Sequence, residues 1–100
     1  MIVFFDLPVT EKSAQKAATK FRNFLIKDGY LMIQYSVYSR VCNGYDAVKT
    51  HEKRLKQHLP PNGSVRLLTI TEKQYESMQI LLGDYIQSDT PVSYEQLTLL

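Results

Sequence analysis

The hydrophobic period changes several times along the chain, and each change marks an element. Ile2 to Phe5 form an unbroken apolar run that ends on Asp6, Leu7 and Pro8. Such a run reads as a buried central strand over residues 2–7, stopped by Pro8 because proline has no N–H to give to a ladder. From residue 11 to 28 the period is helical. Ala14, Ala17, Ala18, Phe21, Phe24 and Leu25 share one broad face, and Lys12, Lys16, Lys20, Asn23 and Lys27 share the other. Thr10 is placed to cap this helix, Glu11 to meet the positive end of its dipole, and Gly29 to end it at C′.

The stretch YLMIQYSVYSRV (30–41) is rich in strand formers and lacks a turn residue. It predicts one long extended segment with a bend or bulge near Gln34, which some schemes count as two strands. CNGY (42–45) is turn-like, with Asn43–Gly44 at its centre. Residues 45–59 return to the helical period, with Val48, Leu55 and Leu59 inward, and PPNG (60–63) closes that helix. SVRLLTIT (64–71) reads as a buried strand. Residues 72–84 read as a shorter helix starting at Thr71, with Tyr75, Met78, Leu81 and Leu82 available for packing. A loop over 87–91 leads to a last strand, VSYEQLTLL (92–100), in which Leu97 and Leu99 alternate with polar neighbours.

With the bent segment counted as two strands, the first 71 residues read βαββαβ, the ferredoxin-like order. The expected fold is an α+β, ferredoxin-like βαββαβ sandwich with an extra C-terminal strand. Helices cover one face of the sheet, and the first strand forms a parallel pair with a later one. That fold hosts many functions and decides none of them.

One hundred residues suit a single domain spanning 1–100, and the 44% hydrophobic and 22% charged content is that of an ordinary globular protein. No apolar run approaches the roughly 18 residues of a membrane span, and the first residues lack a secretory pattern, so a cytoplasmic location away from membranes is expected. Cys42 is the single cysteine, which excludes an intrachain disulfide and fits a reducing compartment. The net charge of +2 is too mild to announce nucleic acid, so the distribution of charge matters more.

IVFFDLP at the start, GYLMIQYSVYSR after the first helix and GSVRLLTITEKQ before the third together resemble the CRISPR-associated Cas-two family, its type II members most closely. The resemblance covers nearly the whole chain in the right order. It implies a ferredoxin-like homodimer acting in CRISPR adaptation, the capture of invading DNA as new spacers. There the dimer bridges two dimers of the integrase, the Cas-one protein, and lies along the captured duplex DNA. It also implies a magnesium-dependent endonuclease described for some members, with Asp6 and its copy in the second subunit holding Mg²⁺ between them.

Read from the residues, Asp6 has two roles open to it. It can order the turn into the helix, as a short acceptor beside free N–H groups. It can also be half of a shared cation site, because a single carboxylate holds Mg²⁺ poorly and two copies across a dimer axis hold it better. No His or Lys in the same motif offers an evident base, so catalysis by Asp6 is less favoured than binding. Lys12, Lys16 and Lys20, with Lys27, make a basic stripe bounded by Glu11 and Asp28, and Lys49, Lys53 and Lys56 make another beside Glu52. Such faces are commonly just solvated, yet doubled by a two-fold axis they form a surface that contacts duplex phosphates without reading sequence. Arg22, Arg40 and Arg66 are further candidates. His51 and His58, two helical turns apart, lack zinc spacing and read as solvated or half-buried helix histidines. Cys42 reads as a small residue at a strand end, and the tyrosines as packing residues with polar tips. The apolar C-terminal strand needs a partner: its own sheet, the second subunit or another protein. The leading expectation is a DNA-bridging adaptor, followed by a metal-dependent endonuclease, then a ferredoxin-like module without nucleic acid.

Overall fold

The computed structural model describes residues 1–83. They fall into a unit spanning Met1–Thr69 and a second that begins at Ile70. The first unit contains β1 (Ile2–Asp6), α1 (Lys12–Lys27), β2 (Leu31–Gln34), β3 (Val37–Ser39), α2 (Tyr45–Gln57) and β4 (Ser64–Leu68), the βαββαβ order of a ferredoxin-like fold. The strands lie in the order β2-β3-β1-β4, and every neighbouring pair is antiparallel. The expected parallel pair does not form. β1 and β2 do point the same way, but β3, folding back from β2, takes the place between them.

Alternation along β1 separates core from surface. Val3 and Phe5 turn to the helices and join Phe21, Leu25, Tyr30, Tyr38 and Leu55 in one cluster, with Leu7, Phe24, Val65 and Leu67 packed against it. The Phe5 ring meets Phe21 edge-on at 5.2 Å and stacks on Tyr38 at 5.6 Å. Each of these large side chains contributes about 1.5–3 kcal/mol by leaving water. Phe4 and Asp6 turn to the other face, in register with Arg66 and Ser64 on β4.

The start of α1 differs by one residue from the expectation. Glu11, not Thr10, is the N-cap, and its side chain makes no capping hydrogen bond. Its other end follows the reading: Gly29 has φ +92°, its N–H donates to Ile26 O at 3.1 Å, and the Tyr30 N–H donates to Leu25 O at 2.9 Å. This double bond pattern requires a left-handed residue, which glycine supplies without Cβ strain.

Segment 30–41 is a hairpin rather than one bent strand. Tyr35 and Ser36 form the turn, Ser36 has φ 63°, and the pairing slips between Met32 and Gln34. The bulge falls beside the expected position, but the full reversal was hidden because neither turn residue is Gly, Asn or Pro. In α2, Leu55 is buried and Val48 half-buried, as expected, but Leu59 lies beyond the helix and is 48% exposed. His51, one turn before Leu55, takes the inward place instead.

β4 ends at Leu68, earlier than the expected residue 71. Gly63, just before it, has φ +102°, and a Cβ there would lie 2.7 Å from the Asp6 carbonyl oxygen and 2.8 Å from Leu7 Cδ2. Both the backbone angle and the close approach exclude a side chain. Gly63→Ala is therefore expected to lower stability by about 2 kcal/mol, measured by chemical denaturation. A loss below about 0.5 kcal/mol would mean that the turn relaxes freely.

In the second unit, Thr71 caps α3 (Glu72–Glu76) as read from the sequence. Its hydroxyl accepts from the Gln74 N–H at 3.1 Å while the Gln74 side chain accepts from the Thr71 N–H at 2.9 Å. The helix is shorter than the expected 72–84, and Leu81 and Leu82 are exposed rather than packed. The expected loop over 87–91 and strand over 92–100 lie outside the described residues.

Candidate nucleic-acid interface

The helical period of α1 sends its apolar positions into the sheet and its lysines outward. Lys12, Lys16, Lys20 and Lys27 line an open groove of about 940 Å³ along the helix, together with Phe24 and His58. Among the described residues no carboxylate lines it. Four like charges on one surface repel one another, so the groove favours any ligand that brings negative charge.

His58 enters this groove from the end of α2. Its ring stacks on Phe24 with centroids 4.0 Å apart and planes 8° apart, and its Nδ1 lies 2.8 Å from the Arg54 carbonyl oxygen. Residue spacing does not reveal this pairing, because Phe24 lies on α1 and His58 at the end of α2.

Arg22 and Arg40 lie outside the groove lining. Arg22 reaches the β2–β3 turn, where Nη2 donates to the Tyr35 hydroxyl at 3.2 Å and the guanidinium lies over the Tyr35 and Phe5 rings. Arg40 is committed to the backbone: Nε donates to Asp28 O at 2.6 Å and Nη1 to Val41 O at 2.8 Å. The structure thus brings the three predicted lysines together and sets the two predicted arginines apart from them.

Asp6 is exposed at the end of β1, on the sheet face away from the helices. Among the described residues no group of three His, Cys, Asp or Glu side chains could hold a metal ion. The described residues of one chain therefore do not by themselves fit a resident Mg²⁺; a single carboxylate leaves most of the coordination sphere to water.

A second polar cluster, absent from the sequence reading, joins α1 to α2. The Asp28 carboxylate, 8% exposed, accepts from His51 Nδ1 at 2.8 Å and from Arg54 Nη1 at 2.9 Å. Burial pushes this carboxyl up, but the His51 and Arg54 hydrogen bonds outweigh it and hold Asp28 below its usual 3.8. His51 is thus a buried, paired residue rather than a solvated one. Nearby, the Tyr30 hydroxyl is buried without a partner; burial, reinforced by Asp28 and Cys42, pushes it up to about 12. Cys42 is half-buried, with Sγ 3.5 Å from the Met1 sulfur.

Comparison with known proteins places this geometry in context. The family model for CRISPR associated protein Cas2 matches residues 1–78. A protein of Acidovorax ebreus, named CRISPR-associated endoribonuclease Cas2, is 52% identical over 99% of this chain and 97% of its own length. Proteins of the same name from Campylobacter jejuni and Ligilactobacillus salivarius are each 46% identical. The match covers 99% of this chain and 69% of the relative in the first case, and 87% and 86% in the second. No helix among the described residues is long and apolar enough to cross a membrane.

Proposed function

The chain belongs to the CRISPR-associated Cas2 (Cas-two) family, and from that premise we propose that it serves CRISPR adaptation as a dimeric adaptor that binds captured duplex DNA and bridges integrase dimers. The observation that carries this reading is the groove along α1, with four lysines and no carboxylate among the described residues of its lining. A duplex offers evenly spaced phosphates, and lysines at helical spacing meet them as point charges, without base reading.

Exposed apolar side chains on the sheet face opposite the helices support the dimer. Phe4 is 38%, Leu31 52% and Leu68 49% exposed, and in register they share the face that also carries Asp6. A second copy laid on this face by a two-fold axis removes that apolar surface from water and sets Asp6 near its own copy. Two facing carboxylates repel, so they take up a proton or a cation, for which a Mg²⁺ ion retaining most of its waters is suited.

The second reading, a metal-dependent endonuclease, is favoured by the exposed Asp6 and by the name its relatives carry. Asp6→Asn separates the two, because it keeps the shape and removes the charge. Integration of a DNA fragment into a repeat array by the reconstituted complex is expected to persist, within about threefold of wild type. Light scattering is expected to show the same dimer mass. Loss of integration with the dimer intact, or loss of a Mg²⁺-dependent cleavage that the wild type performs, would make the nuclease reading the better one.

A further inference from the structure

We propose that His58 is a proton-linked phosphate ligand of the α1 groove, a contact that takes up a proton as a polyanion binds; the inference rests on the nucleic-acid reading above. A carbonyl oxygen only accepts, so the 2.8 Å contact between His58 Nδ1 and Arg54 O fixes the ring proton on Nδ1. Nε2 is then the free nitrogen. The parallel stack on Phe24, at 4.0 Å, holds the plane of the ring, so both its tautomer and its orientation are set before any ligand arrives.

In the neutral ring Nε2 presents a lone pair, which meets a phosphate oxygen as acceptor against acceptor. In the imidazolium it presents an N–H, which gives a charge-assisted hydrogen bond. A phosphate seated in the groove therefore selects the protonated form, and binding is accompanied by proton uptake.

The charged groups that share the groove are the ammonium groups of Lys12, Lys16, Lys20 and Lys27 on α1. From its own helix the His58 ring meets the carbonyl of Arg54, and its backbone N–H donates to Leu55 O; the Arg54 guanidinium donates to Asp28. Two other groups need control. His51 is buried on Asp28, and the Met1 amino group, lowered by burial below its usual 8.0, is held by Arg40 O. Neither lines the groove.

The test is fluorescence anisotropy with a labelled DNA duplex at fixed low ionic strength, from pH 8 to pH 6. Wild-type affinity is expected to rise by roughly 5-fold as the one charge-assisted hydrogen bond forms. His58→Gln should gain little on acidification. His58→Lys, with a permanent charge, should bind tightly and flatly across the range. Calorimetry in two buffers of different ionisation enthalpy should show proton uptake by wild type and none by His58→Gln. Binding by wild type with no pH dependence, or a rise that survives in His58→Gln, overturns the role of His58 and leaves the nucleic-acid reading standing. No binding at either pH overturns both. Thermal melts of both variants check the fold, and exposure of His58 at the end of α2 makes them well tolerated.

Discussion

Reversing Lys12, Lys16 and Lys20 to glutamate is expected to weaken duplex DNA binding by on the order of 100-fold or more at low salt. The substitution replaces three attractive charges with three repulsive ones on a single helix face and leaves the buried face of α1, with Ala18, Phe21 and Leu25, untouched. The wild type should lose about 40-fold in affinity between 50 and 200 mM salt if three phosphates are neutralised, since each contact releases a fraction of a counterion. The variant should show a much flatter salt slope. Binding isotherms over that salt range check both expectations. Wild-type affinity that does not change with salt would reject phosphate contact altogether.

Asp28→Ala is expected to cost about 3 kcal/mol, a large share of the 5–15 kcal/mol that holds a domain of this size together. The variant leaves the His51 ring, 10% exposed, without its acceptor, and also removes the partner of Arg54, a smaller loss because Arg54 is 52% exposed. The sign of the pH effect follows from the direction of the shift. Because the folded-state value of Asp28 lies below 3.8, its contribution is fully present above that value and is lost as pH falls through the folded value. The stability difference between wild type and variant should therefore be constant near neutrality and shrink below about pH 4. Urea denaturation at a series of pH values measures it. A difference that persists unchanged into acid would mean that packing, not the carboxylate, dominates.

The strands and helices were legible where one physical signal spoke alone. β1 is an apolar run with a proline after it, α1 has two clean faces and a terminal glycine, and α3 opens with a threonine three residues before its glutamine. The reading failed where local and tertiary preferences competed. The Tyr35–Ser36 turn lacks turn chemistry, and its reversal is fixed by pairing on both sides, including the Phe5 N–H to Ser36 O bond at 3.0 Å. The inward place of His51 is set by a carboxylate 23 positions away, which no helical spacing reveals. The lysine stripe was readable as a pattern, whereas the ring of His58 joins it only through the packing of α2 on α1.

The position of β1 between β3 and β4 also governs when the protein can fold. Ile2 is hydrogen-bonded into the sheet through the strands that carry its register partners Ser39 and Leu68. The hairpin of β2 and β3 closes locally and fast, but β1 gains its second neighbour only with β4, the last strand among the described residues. The most apolar stretch of the chain therefore remains half-paired during synthesis until Leu68 has emerged, the interval in which an unpaired strand edge is open to other nascent chains. A truncation before Ser64 leaves β1 as a permanent edge and is expected to yield an aggregating fragment, not a smaller folded domain.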